Sequence, residues 1–162
     1  MKNDHLTHRD SPLAVGDEAP DFTLLTQARE EWKLSEHLEG AGVVLCFYPL
    51  DFTEVCGSEM DCITSEMGRW ADRNLQVIGV SCDSFATHKA WADQMGYKHP
   101  LLADMHRNVV KAFGLLWDDL NVSKRATVIV GKDEEGTPRV RWIQVREPGE
   151  AMDFDEVLAQ TA

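Results

Sequence analysis

The chain has 162 residues, 43% of them hydrophobic, which suits one globular domain with a sizeable core. Its 28 acidic against 16 basic residues leave a formal charge of −12, a field that repels phosphate backbones and anionic headgroups and so argues against nucleic-acid or membrane partners. No apolar stretch approaches the ~20 residues of a bilayer span, and the opening MKNDHLTHRDSPLAVGDEAP lacks the apolar run of a signal peptide.

Residues 1–14 read as a polar arm ahead of a single domain, 15–162. The stretch DFTLLTQAREEWKLSEHL (21–38) predicts two short strands joined by a polar turn, then a brief helical turn capped by Ser35. GVVLCFY (42–48) is a continuous apolar run, long enough only for a strand buried on both faces, and Pro49 ends it. From about Thr53 the period changes. Met60, Ile63, Met67 and Trp70 recur at three- and four-residue steps and mark one buried helical face, with Thr53 or Asp51 able to cap it. LQVIGVS (75–81) predicts a second buried strand, and SFATHKAWADQMGY (84–97) a helix with Ser84 as cap and Gly96 as stop. PLLAD is a short strand or turn and HRNVVKAFGL a short helix. RATVIVGKDEEGTPRVRWIQVR (125–146) is a hairpin, and MDFDEVLAQTA a closing amphipathic helix. A strand–helix–strand crossover makes 42–48 and 75–81 parallel neighbours. The fold class is therefore α/β: a thioredoxin-like fold, a central mixed β-sheet flanked by helices, with an N-terminal β-hairpin extension.

The cysteines, Cys46, Cys56, Cys62 and Cys82, all fall in the middle of the chain, unlike the peripheral staples of a small secreted scaffold. A cytoplasmic location with reduced thiols is the consistent expectation. They form no paired C-x-x-C ligands and the histidines are scattered, so no metal site is expected; His88 and His99 read as surface or packing residues. Cys46 reads as a small core residue. Cys56 stands apart, because it lies in the first turn of a helix at the carboxyl end of a parallel strand, where partial positive charge favours a thiolate. Thr53 is spaced to share a helical face with it, and Pro49, having no N–H, can wall a pocket there.

The segment PLDFTEVC resembles the signature of the peroxiredoxins, in which a proline, a threonine or serine and a cysteine recur at these spacings. VGDEAPDFTLLTQ, GVSCDSFATHKAWADQMGYKHPLLAD and KRATVIVGKD resemble further segments of that family, and the likeness runs from about Val15 to the C-terminus. THKAWADQMGYKHPLL and PGEAMDFDEVLA most resemble the alkyl hydroperoxide reductase E type, with some PrxQ/BCP-like character. The resemblance implies a cofactor-free thiol peroxidase acting on hydrogen peroxide, organic hydroperoxides and peroxynitrite. In it Cys56 is the peroxidatic nucleophile, Thr53 hydrogen-bonds the thiolate and peroxide, Pro49 shields the site, Arg125 stabilises thiolate and transition state, and Glu59 holds the arginine. Taken singly, Thr53 would be a helix cap and Glu59 and Arg125 solvated charges; their joint occurrence reverses that reading.

The resemblance also implies recycling by a thiol reductant, a thioredoxin-, glutaredoxin- or mycoredoxin-like protein or a low-molecular-weight thiol, and a homodimer. Cys62 is an awkward resolving partner. Six residues of helix rise roughly 9 Å and turn about 120° away, whereas bridged Cα atoms sit about 4.4–6.8 Å apart, so a Cys56–Cys62 disulfide requires the first turns to unwind. Cys82, following the 75–81 strand, is placed on the same sheet edge as Cys56 and is a second, weaker resolving candidate. The rival reading is a thioredoxin-fold redox sensor that signals oxidation to a partner without efficient turnover.

Overall fold

The computed structural model describes residues 2–161. β1 (Thr23–Leu25) and β2 (Glu31–Lys33) pair as an antiparallel hairpin and lead into a 3₁₀ turn at Leu34–Glu36. Ser35 lies inside that turn and does not cap it, because its N–H and hydroxyl both donate to the Asp21 carboxylate. β3 (Gly42–Phe47) is buried at every residue, as a run without polar alternation requires. α1 (Glu54–Ser65) follows, then α2 (Met67–Ala71) after a break at Glu66. That break swings Met67 outward, so it is 38% exposed while Met60, Ile63 and Trp70 stay buried; the single apolar stripe expected across 60–70 stops short of Met67.

β4 (Leu75–Ser81) runs parallel to β3, with Gly42 opposite Leu75 and Phe47 opposite Val80. α3 (Phe85–Met95) is capped by Ser84, whose hydroxyl accepts the Thr87 N–H, and ends at Gly96 in the left-handed conformation. β5 (Leu101–Ala103) adds parallel to β4, and α4 (Asn108–Ala112) crosses back. β6 (Leu116–Trp117) and β7 (Val122–Ser123) form a separate small hairpin, too short to leave a period-2 signature in the sequence. β8 (Arg125–Lys132) pairs antiparallel with β3 and hairpins into β9 (Pro138–Arg146), and α5 (Phe154–Ala159) closes the chain.

The main sheet has the order β2-β1-β5-β4-β3-β8-β9. Alternation along β3 divides the core. Val43, Leu45 and Phe47 face a layer with Phe22, Trp32 and Phe113, whereas Val44, Cys46 and Tyr48 face a layer built from α1, α2, α3 and α5. Residues 2–14 lie along the first of these layers. The Asn3 side-chain amide exchanges hydrogen bonds with both backbone groups of Thr23, and the N–H groups of Arg9 and Leu13 donate to Lys111 and Phe113. The backbone approaches so closely that a Cβ at Gly114 would meet the Ser11 carbonyl at 1.9 Å. No helix among the described residues is long and apolar enough to cross a membrane.

His99 is 1% exposed, between the Thr64 hydroxyl at 2.8 Å and the Met60 sulfur at 3.2 Å. It is therefore a buried, hydrogen-bonded residue with no surface role. Burial lowers its pKa from 6.5 to about 3. Below the upper value the unfolded chain binds a proton that the folded chain refuses, so His99 costs stability progressively as pH falls through that window, by at most about 1.4 kcal/mol per pH unit. Denaturant titrations should show stability falling less steeply with acid between about pH 6.5 and 4.5 in His99→Gln than in wild type. Parallel slopes would contradict this assignment.

Candidate active site

The site forms where β3 gives way to α1, at the carboxyl ends of the parallel strands. Tyr48 and Pro49 are buried, and the chain then turns through exposed Leu50 and Phe52. Phe52 has φ of 60°, a left-handed conformation uncommon for a bulky residue. Thr53 occupies the N-cap position, and its carbonyl accepts the Gly57 N–H at 2.8 Å. Its hydroxyl does not cap the helix: it donates to the Leu50 carbonyl at 2.7 Å, which leaves the oxygen lone pairs to accept a further donor. Cys56 follows in the first turn and is only 1% exposed.

Arg125 begins β8 just beyond the Ala126–Phe47 pair, which carries it to the start of α1. Its guanidinium uses three nitrogens differently. Nη2 lies 3.3 Å from Cys56 Sγ, Nη1 is bonded to Glu59 Oε1, and Nε donates to the Pro148 carbonyl at 2.9 Å. Burial opposes the charge on Arg125, yet the Glu59 carboxylate and the Cys56 sulfur hold its pKa above the ordinary value. Glu59 Oε2 also accepts from Arg146 Nη2 at 3.0 Å and from the Met152 N–H at 2.9 Å. Arg146 in turn donates to Thr127 Oγ1 at 3.1 Å.

Arg125 and Arg146 are direct cross-strand partners, where like charges repel, and Glu59 answers both. The sequence reading missed Arg146. The signal was present: the 125–146 hairpin begins and ends on arginine, and a hairpin sets its two ends side by side. A cavity of about 240 Å³, lined by Trp117, Lys124, Arg125, Val145, Arg146 and Pro148 among others, opens beside this pair.

All four cysteines are free thiols. Cys46 is fully buried in the same layer as Cys56, and burial pushes its pKa well up. Cys62 is exposed; the modest burial it has, followed by Glu66 and Asp61, raises its pKa. Cys82 follows β4 on the same sheet edge as the start of α1. It shares the strand end, but its side chain packs in the opposite core layer, with Phe47 and Val80, and burial pushes its pKa up to about 12. His88, expected at the surface or in packing, is fully buried and bonded to Asp51. No cluster of three or more metal-binding side chains occurs among the described residues.

The AhpC/TSA family profile matches residues 15–136. Alkyl hydroperoxide reductase E of Mycobacterium tuberculosis is 33% identical over 156 residues, covering 93% of this chain and 99% of that protein. The chloroplastic 2-Cys peroxiredoxin BAS1 of Hordeum vulgare is 33% identical over 159 residues, covering 92% of this chain and 73% of that one. Among solved structures, reduced 2-Cys peroxiredoxin of Plasmodium vivax superposes with a TM-score of 0.79 at 33% identity, covering 93% of this chain and 81% of that chain. AhpC of Mycobacterium tuberculosis superposes with a TM-score of 0.79 at 27% identity, covering 93% and 96%.

Glu59→Gln keeps the side chain's shape but leaves two buried guanidiniums without their shared anion. We expect it to lower stability by about 3 kcal/mol or more and to slow Cys56 oxidation by at least about tenfold. Denaturant unfolding and stopped-flow oxidation check the two effects, and an unchanged oxidation rate would contradict the role given to the ion network.

Proposed function

The chain belongs to the AhpC/TSA family of peroxiredoxins and is a thiol-dependent peroxidase; from that premise we propose that Cys56 is its peroxidatic nucleophile, served by Thr53, Pro49, Arg125 and Glu59. The observation that carries this is the 3.3 Å contact between Arg125 Nη2 and Cys56 Sγ. Two buried guanidiniums against one carboxylate leave a residual positive charge, which the Cys56 sulfur neutralises as a thiolate. The sensor reading is not favoured.

The thiolate attacks one oxygen of the peroxide. An S–O bond forms as the O–O bond breaks, the second oxygen leaves and takes up a proton as water or alcohol, and Cys56 becomes sulfenic acid. Arg125 has further N–H donors on its terminal nitrogens for the charge that develops on those oxygens, and Thr53 keeps lone pairs free to accept from the peroxide O–H. Pro49, buried and without an N–H, adds no donor that would compete for the thiolate.

A thiol then attacks the sulfenic sulfur and expels water, and a second thiol releases Cys56 from the resulting disulfide. At 1% exposure Cys56 is out of reach of a bulky thiol, so this half of the cycle requires the first turn of α1 to open. Cys62 is exposed on α1 while Cys56 is buried, and Cys82 faces the other layer; both favour a thiol from outside the chain. That reductant would be a thioredoxin-, glutaredoxin- or mycoredoxin-like protein or a low-molecular-weight thiol, in the cytoplasm. Hydrogen peroxide and organic hydroperoxides are the proposed substrates, with peroxynitrite as a further one. We assign the catalytic domain to residues 15–162, with 1–14 as a polar N-terminal arm. Exposed Leu50, Phe52 and Met95 support a homodimer built near the site.

Cys56→Ser should abolish peroxide consumption with any thiol. Arg125→Ala and Thr53→Val should slow the oxidation step by roughly a hundredfold, read by rapid mixing. A Cys56→Ser protein with full thiol-dependent turnover would overturn the proposal.

A further inference from the structure

Beneath the loop that carries Pro49 and Thr53 lies a buried polar cluster that the peroxide chemistry does not use. The side chains of Asp51 and His88 are each 0% exposed. His88 Nε2 is 3.1 Å from the Leu102 carbonyl, which can only accept, so Nε2 carries a hydrogen. Nδ1 is 2.6 Å from Asp51 Oδ2, a contact that holds one shared proton whichever atom carries it. The other carboxylate oxygen accepts from the Tyr48 hydroxyl at 2.7 Å. Burial, with Asp51 next, raises the pKa of Tyr48 well above its ordinary value and keeps it a donor. The Asp51 N–H donates to Asp83 Oδ2 at 3.0 Å, and that oxygen also receives the Ser81 hydroxyl at 2.6 Å.

One loop residue is thus tied to the ends of β3 and β4, to β5 and to α3. Its neighbour Phe52 is held at φ of 60° with its ring 5.9 Å from that of Trp91, which lies 5.8 Å from Tyr48. A bulky residue keeps such a conformation only where its surroundings over-determine it.

We propose that the Asp51–His88 pair is a positioning clamp: it fixes the 49–53 loop so that Pro49 and Thr53 stand correctly over Cys56, and it governs how readily the first turn of α1 opens for recycling. The proposal rests on the reading of Cys56 as the peroxidatic residue. Loosening the clamp then has opposite effects on the two halves of the cycle. Oxidation slows because the pocket is misplaced, and capture of the sulfenic acid by a bulky reagent quickens because the helix start opens more often.

Two substitutions at one position separate this role from plain packing. His88→Asn sets an amide N–H near the place of Nδ1 and keeps the Asp51 bond. His88→Gln sets one near Nε2, keeps the Leu102 bond and loses Asp51. Both remove the ring and Gln comes nearer its volume, so a purely packing role would favour Gln over Asn. By stopped-flow tryptophan fluorescence with hydrogen peroxide, Gln should oxidise about tenfold or more slowly than Asn. Its sulfenic Cys56 should also be labelled faster by a cyclic 1,3-dicarbonyl trap. Asp51→Leu, of similar size but with no partner for His88 or Tyr48, should slow oxidation and quicken trapping likewise, and decides the matter if the His88 variants do not fold. Equal rates in the two His88 variants, or a wild-type rate in Asp51→Leu, overturn the clamp and leave the reading of Cys56 intact. Failure of hydrogen peroxide to oxidise Cys56 in the wild-type protein overturns both.

Discussion

Two guanidiniums set opposite each other across a β-hairpin, Arg125 and Arg146, are held together by the single carboxylate of Glu59, which is 1% exposed. Removed from water, such a group is expensive, and a packed apolar substitute of similar volume is often at least as stable. Its presence here makes sense through the site it creates. The network fixes Arg125 against Cys56, and its unbalanced positive charge is met by the sulfur. Each member also has a backbone or side-chain partner, Pro148 for Arg125, Thr127 for Arg146 and Met152 for Glu59.

The fold supplies this arrangement through sheet geometry. β3 lies between a parallel neighbour, β4, and an antiparallel one, β8. The first relation places a helix start at its carboxyl end, and the second brings the beginning of β8 to the same place. Glu59 stands three residues beyond Cys56, close to one helical turn, so the carboxylate and the sulfur face the same arginine. On the other side of the loop, Asp51 ties the approach to the helix into the core through Tyr48 and His88. The Cys56 sulfur, almost fully buried, is thereby held between an ion network and a hydrogen-bonded cluster. A small peroxide and a large reductant make different demands on that enclosure.

Much of this was legible in the residues. The apolar runs 42–48 and 75–81 and the capped helix between Ser84 and Gly96 carry their own local signals, and the structure follows them, with β3 ending at Phe47. The proline–threonine–cysteine spacing likewise singled out Cys56. What the sequence hid depends on distant chain segments meeting. Arg146 matters because of hairpin register, and His88 because α3 packs beneath a loop 37 residues away. Met67 escaped the helical stripe through a break at Glu66, two residues before Gly68. Cys82 shares a strand end with Cys56 but not a core layer, since side-chain direction alternates and strand position alone does not fix it.

The central claim is that one sulfur among four, the one beside Arg125, takes the peroxide oxygen. Mass spectrometry of the wild-type protein after one equivalent of hydrogen peroxide, quenched with a sulfenic-acid trap and mapped by peptide, tests it directly. The account predicts the trapped adduct on Cys56, with Cys46, Cys62 and Cys82 recovered as unmodified thiols. An adduct on Cys62 or Cys82 with Cys56 left reduced would contradict it.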